Sequence, residues 1–290
     1  MTSQILTDLV NTRSLLVSTL SKGQLLCLRN GQWGFKNINS DLGMSVNNGK
    51  VAITGSNNIR IYDENSGSFI KTILTNEIDI HQIFIKNDET ALITAPIKSS
   101  ILWYSDDFSS SAAWSLRGYV DGDKNYSYVN SLLTDGETPQ YALSLGISDG
   151  QGTWRDESKL GHGALIDINS NYPVLRTLSL PHSLSRINNE IYFCNSGHGE
   201  FCKWTPGDFN HEVVFKYDGF LRGVCQLDDT HVAIGVSQGR WNSGQNMNID
   251  PLAAPGILIV DISTGTQVDF EPLDIKEIFD IVLISGDLND

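Results

Sequence analysis

The 290-residue chain contains no stretch approaching the ~20 apolar residues needed to span a bilayer, and its start, Met1-Thr2-Ser3-Gln4, lacks the basic-then-apolar order of a secretory signal. A cytoplasmic location is expected. Its four cysteines, Cys27, Cys194, Cys202 and Cys225, are scattered and form no C-x-x-C pair, so buried, reduced thiols are expected. Positive charge is also scarce. Twenty Lys plus Arg stand against 34 Asp plus Glu, and the net charge of −14 opposes attraction to nucleic-acid phosphate or anionic lipid. Neither nucleic acid nor a membrane is expected as a partner. There is no P-loop, and the glycines between Gly118 and Gly122 do not make a dinucleotide fingerprint, which removes nucleotide-dependent chemistry.

What the chain does have is repetition. Six times a short apolar run breaks at a polar turn and a second run follows: at Leu26 to Trp33, Ile61 to Ile70, Trp103 to Trp114, Leu165 to Leu175, Lys203 to Val214 and Ile259 to Val268. The clearest copies are Ile61-Tyr62-Asp63-Glu64-Asn65-Ser66-Gly67 and Ile259-Val260-Asp261-Ile262-Ser263-Thr264-Gly265, where Asp and Gly suit a tight antiparallel connection. Successive copies begin 35, 42, 62, 38 and 56 residues apart, close to the ~45 residues of one propeller blade except where two loops are enlarged.

These spacings predict an all-β fold, a six-bladed β-propeller forming one domain over residues 1–290. The C-terminal run Ile278 to Ile284 has no blade of its own, and the N-terminal runs at Leu15 to Leu20, Leu25 to Leu28 and Trp33 to Phe35 make only three strands. Joined, they complete blade one and remove an open sheet edge.

In such a blade the approach to the innermost strand and the loop between its second and third strands share one face. Both enlarged loops, Ile147 to His162 and Ser237 to Pro255, belong to that face, where function is expected. Polar residues recur there at the start of the inner strands: His81, Tyr128 with Asn130, His182 with Ser183, Arg222, and Asp280. The enlarged loops add Trp154, Arg155 and His162 in the first, and Arg240, Trp241 and Asn246 in the second. Arg offers a fork for carboxylate or phosphate, and Trp a flat surface for a sugar ring. His81, His162 and His182 are candidate ligands for a divalent metal assembled from different blades.

Several motifs resemble those of a family of uncharacterised bacterial β-propeller proteins, DUF4915 (TIGR03032). They are Tyr141 to Asp149, Trp154-Arg155, Gly161 to Ile168, Pro181-His182-Ser183 with Arg186, Asn195 to Glu200, Gly219 to Gly223, Pro255 to Gly265 and Glu277 to Asp280. The resemblance runs from about His81 to the end and implies a β-propeller but no reaction. It places Trp154, Arg155, His182, Ser183, Arg186, Arg222 and Asp280 on the family's recurrent polar motifs. Two departures stand out. The family's His-Asp-Ile reads His81-Gln82-Ile83 here, and its Cys-His-Leu-Asn reads Ser127-Tyr128-Val129-Asn130.

The leading expectation is a propeller that binds a small polar molecule, anionic or sugar-like, in its central funnel. Arg155 and Arg222 would hold its negative group, His182 and Asn130 would orient hydroxyls or carbonyls, Trp154 would cover it, and His81, Tyr128, His162, Ser183, Arg186 and Arg240 would contribute contacts. If chemistry occurs, His182 is the expected proton-transfer group with Asp280 beside it, in a reaction of lyase, isomerase or hydrolase type. Two alternatives stand beside it: a scaffold that docks a protein partner on the enlarged-loop face, and a metal-dependent enzyme with a His-lined channel.

Overall fold

The hairpin turns carry out what their sequence prescribes. In the computed structural model, Asp63 Oδ1 accepts the amides of Asn65 (3.2 Å) and Ser66 (2.8 Å), and Gly67 sits at φ 67°, the left-handed conformation that turns the chain back. Asp261 gathers Ser263 in the same way, ahead of Gly265 at φ 66°. A third copy uses Asp167 and Ser170, with Asn171 at φ 55° where the other two have glycine. The hydrogen bonds that gather each turn hold Asp63 and Asp261 below the usual carboxylate range.

The structure describes residues 2–19, 24–39, 43–55, 57–77, 79–88, 90–105, 110–116, 127–147, 160–238 and 247–289. A short helix, α1 (Gln4–Val10), precedes three strands of blade one: β1 (Ser14–Thr19), β2 (Gln24–Arg29) and β3 (Gln32–Asn39). Blade two contains β4 (Met44–Asn47), β5 (Lys50–Gly55), β6 (Asn58–Asp63) and β7 (Phe69–Leu74). Blade three contains β8 (Ile83–Ile85), β9 (Ala91–Ala95), β10 (Ser100–Tyr104) and β11 (Ser110–Ser115). Blade four contains β12 (Val129–Asp135), β13 (Thr138–Ser144), β14 (Gly163–Asp167) and β15 (Tyr172–Leu178). Blade five contains β16 (Pro181–Ile187), β17 (Glu190–Asn195), β18 (Glu200–Trp204) and β19 (Glu212–Lys216). Blade six contains β20 (Phe220–Gln226), β21 (His231–Ser237), β22 (Gly256–Asp261) and β23 (Thr266–Pro272), and β24 (Ile278–Ile284) ends the ladder order.

Each blade is a four-stranded antiparallel sheet, and blade one runs β24-β1-β2-β3, so the last strand of the chain is the innermost strand of the first blade. The molecule is therefore the six-bladed β-propeller that the spacing predicts, with the predicted closure. Ser14 pairs with Ile284 and Val17 with Ile281 across it. Beyond β24 the tail continues onto blade two, where Ser285 donates to Glu64 and the Asn289 amide to the Gly67 carbonyl.

Blade strands are buried on both faces, which is why they read as continuous apolar runs rather than as alternation. On β17, Ile191 and Phe193 face blade four while Tyr192 and Cys194 face blade six. The core accordingly divides into six large clusters, one at each blade interface. The cysteines lie in or against these layers, with no disulfide among them, as expected. The helix α1 has no counterpart in the sequence reading. Ser3 Oγ caps the Leu6 amide (3.2 Å), and Leu6 and Val10, one turn apart, bury against blades six and one.

Candidate functional site

The six inner strands surround a channel of about 580 Å³, within the usual size of a small-molecule site. Its lining includes His81, Asn130, His182, Ser183, Arg222, Phe279 and Asp280, seven residues drawn from five blades. A shared irregularity aims several of them inward. The ladder slips between Val129 and Ser131, between His182 and Ser185, between Leu221 and Val224, and opposite Phe279. A bulge of this kind lets one or two residues leave the pairing and redirects their side chains. The residues released are Asn130, Ser183 with Leu184, Arg222 with Gly223, and Phe279.

A ring of side-chain-to-amide bonds fixes the inner strands to one another. Asp280 accepts from Met44 (2.9 Å), Ser45 from Ile85 (3.5 Å), Gln82 from Leu132 (2.6 Å), Ser131 from Leu184 (2.9 Å) and Ser183 from Gly223 (2.7 Å). The Cys225 thiol takes the Leu283 amide and completes the circle. Each blade thus satisfies a donor of the next, which a buried inner edge requires. Gly223 fits here because its φ of 77° and the nearby Asp280 backbone, 3.2 Å from where a Cβ would stand, disfavour any side chain.

Asp280 and Ser183 are therefore members of this ring. Both Asp280 oxygens are held by backbone amides, Oδ2 by Met44 and Oδ1 by Ile281 (2.9 Å), and burial pushes its carboxyl up to about 7 against the pull of those amides and of Arg222. The expected pairing of Asp280 with His182 gives way to separate anchors, because His182 Nδ1 turns to the Leu180 carbonyl (2.8 Å) and the Ser196 hydroxyl (3.2 Å).

Above the ring lies a chain of hydrogen bonds with a fixed direction. Arg222 NH2 lies 3.0 Å from His81 Nδ1, and a guanidinium can only donate, so Nδ1 accepts. In the neutral ring the proton then sits on Nε2, which donates to the Tyr128 oxygen at 2.6 Å, and the Tyr128 hydroxyl donates to Asp79. His81 Nε2 is also 3.3 Å from Asp79. Burial alone would raise Asp79. His81, as donor and as a positive charge when protonated, the Tyr128 hydroxyl and Arg222 outweigh it and hold the carboxyl at about 2. Arg222 is itself packed 3.6 Å above the Phe279 ring, and the His81 and His182 rings stack with centroids 6.5 Å apart.

Two of the lining side chains have a fixed orientation. His182 Nδ1 must be protonated to bond the Leu180 carbonyl, which makes Nε2 the basic nitrogen of the neutral ring. Asn130 Nδ2 donates to the Pro181 carbonyl at 2.9 Å, which fixes the amide orientation, and its Oδ1, on a side chain only 3% exposed, has no partner.

The remaining described candidates are Arg186, which lines one end of the channel, and His162, which does not line it. Arg186 is exposed at the far end of β16 and bonds Gln140 (2.9 Å). His162 is half-buried just before β14, outside the channel lining. Of the three histidines named as metal ligands, His81 and His182 stack side by side in the channel and His162 stands outside its lining. Among the described residues the ligand-spaced group is Glu200, Cys202 and His211. Trp154, Arg155, Arg240, Trp241 and Asn246 lie outside the described residues. Sequence reasoning missed Asp79, whose φ of 64° turns it toward Tyr128, and the ring residues Ser45, Gln82, Ser131 and Cys225, whose small polar side chains look like ordinary strand residues. Gly146-Ile147-Ser148-Asp149-Gly150 also has G-x-S-x-G spacing. It follows the antiparallel strand β13, and Ser148 lies outside the described residues, so the strand-turn-helix context of a nucleophile elbow is not established.

Comparison with known proteins agrees with the architecture. A luciferin-regenerating enzyme superposes with a TM-score of 0.59 at 11% identity, covering 82% of this chain and 78% of its own. Regucalcin, a calcium-binding protein of Agrobacterium tumefaciens strain C58, gives 0.59 at 12% identity, with 85% and 79% covered. A protein of unknown function from Bacteroides caccae gives 0.60 at 11% identity, with 94% and 99% covered. At such identities these establish the fold alone. No curated protein matches the sequence. The model of DUF4915, a domain of unknown function, matches residues 3–289, beyond the segment where the motifs are recognisable by eye, and the chain belongs to that family.

Proposed function

We propose that the central channel binds a small, hydroxyl-bearing molecule of sugar or polyol type and that His182 exchanges protons with it. The observation that carries this reading is Asn130 Oδ1. A buried acceptor left without a donor costs about 1–3 kcal/mol, and a small shift of this lining side chain toward a ligand hydroxyl in the channel would remove that cost. An amide oxygen can only accept, so the ligand is one that brings a donor to Asn130. The site's positive charge is partly committed, since Arg222 is engaged with His81 and Phe279, which favours a hydroxylated over a strongly anionic ligand.

As a proton acceptor His182 is oriented for work on a hydroxyl or on a carbon next to a carbonyl, in keeping with isomerase or lyase chemistry. The His81-Tyr128-Asp79 chain offers a second route for a proton out of the channel. A reducing compartment such as the cytoplasm suits four cysteines that form no disulfide.

A thermal-shift panel of sugars, polyols, small carboxylates and sugar phosphates tests the reading, because a ligand of the folded state raises the melting temperature by mass action. A neutral polyhydroxylated compound should stabilise the protein, and His182→Phe should abolish the shift. Stabilisation by carboxylates or phosphates alone would overturn the ligand class. Stabilisation that survives His182→Phe would overturn the location.

A further inference from the structure

A second cluster of reactive side chains lies away from the channel, on the outer half of blade five. Glu200 and Cys202 are two residues apart on β18 and so project from the same face, and His211 reaches the same place from the residue just before β19. The Glu200 carboxylate, the Cys202 sulfur and a His211 ring nitrogen offer ligand atoms all within 4.8 Å of one another. We propose that these three side chains bind a zinc-type metal ion, with the fourth position left to water.

Thiolate, imidazole and carboxylate are the donor set of Zn²⁺, and an ion bonded at about 2.0–2.3 Å to each would draw the three together by about an ångström. The hairpin supplies that movement. Thr205 to Asn210 are exposed, Gly207 turns at φ 98°, and His211 ends this stretch. The donors are also supported from behind. Asn195, itself buried, donates through Nδ2 to Glu200 Oε2 at 2.8 Å, and the His211 ring packs edge-on against Phe193 at 5.5 Å. Lys216 Nζ is 3.3 Å from Glu200 Oε1, but its side chain is 56% exposed and has room to leave when a cation replaces it. Glu200 and His211 are only partly buried, so the ion has a way in, whereas Cys202 lies fully within the layer between blades four and five.

The protonation states agree with this geometry. Burial lowers His211, which favours the neutral imidazole a metal requires. Burial pushes the Cys202 thiol well above its ordinary value, so binding must expel its proton: the S–H bond breaks, the sulfur–metal bond forms and one H⁺ goes to solvent. The bound ion would pin the outer hairpin of blade five to its own sheet.

The test uses the full chain, reduced and stripped with a chelator, then titrated with Co²⁺ and with Zn²⁺ against a chromophoric competitor. One Co²⁺ per chain should bind with a thiolate-to-cobalt charge-transfer band, and Zn²⁺ should displace it. Zn²⁺ affinity should rise about tenfold per pH unit near neutrality, since one proton is displaced. Cys202→Ser should abolish the band, and His211→Asn should weaken Zn²⁺ binding at least tenfold, with circular dichroism confirming that both variants fold. Absence of the band in the wild-type protein, or its survival in Cys202→Ser, would overturn the proposal. Unchanged Zn²⁺ affinity in His211→Asn would do the same. If either variant fails to fold, the wild-type spectrum and its pH dependence decide alone.

Discussion

Asp280 Oδ2 accepts the amide of Met44 at 2.9 Å, so the final strand of the chain is fastened by a side chain to the first residue of β4. This bond belongs to the same ring that joins Ser183 to Gly223 and Gln82 to Leu132. It gives the propeller a closure independent of the β24-β1 ladder.

The pH dependence of that bond can be worked out from Asp280. Its folded-state value is raised by burial from 3.8 to about 7, so the folded protein binds a proton that the unfolded chain has released. Stability from this group is therefore full below about pH 4 and is lost as pH rises through about 7, a change of roughly 4 kcal/mol. Asp280→Asn cannot titrate and puts an NH2 where one accepting oxygen stood, so it should lose stability at about pH 4 but stay level from pH 4 to 7 while the wild type falls, and the gap between them should shift steadily in the variant's favour over that range. Urea unfolding at several pH values measures the difference. A constant gap from pH 5 to 8 would contradict the assignment.

Closure by the tail makes a separate prediction at Gly67. A Cβ there would overlap the Asp287 carbonyl oxygen, and the φ of 67° is already costly for any other residue. Gly67→Ala should lose about 1–3 kcal/mol of stability and expose residues 285–289 to carboxypeptidase. Gly49, also at positive φ (70°) but with open space around it, should lose less on the same change.

Tyr128→Phe removes the hydroxyl that links His81 to Asp79. Asp79 is depressed to about 2, so its stabilising contribution is present above pH 3.8 and disappears as pH falls toward 2. Without the hydroxyl its folded value should rise, moving the midpoint of acid unfolding to higher pH. Acid titration followed by fluorescence checks this, and an unchanged midpoint would show that Tyr128 does not hold the carboxylate.

Sequence made the architecture readable because hairpin chemistry is local. Asp63, Asp167 and Asp261 each bond amides within three residues, and that pattern survives in the primary structure. The closure could be inferred from strand arithmetic alone. The site could be located but not resolved. His81, Tyr128 and Arg222 do converge, yet whether a polar inner-strand residue faces a ligand or a neighbouring blade depends on bulges worth one residue of register, such as those at Asn130 and Phe279. For that reason Ser183, expected as a ligand contact, and Asp280, expected beside His182, line the channel and also fasten neighbouring blades. Asp79 had no signal at all, since its role comes from a single left-handed backbone angle. The Glu200-Cys202-His211 group was invisible because its members meet across a hairpin bulge between Phe201 and Cys202.

The most direct test of the account is isothermal titration of the best polyhydroxylated binder into the wild-type protein and into Asn130→Leu, which removes the unpartnered acceptor while filling its space. The predicted result is saturable binding at one site per chain, weakened about tenfold or more by the substitution. Equal affinity in the two proteins, with the variant folded, would contradict the placement of the ligand in the channel.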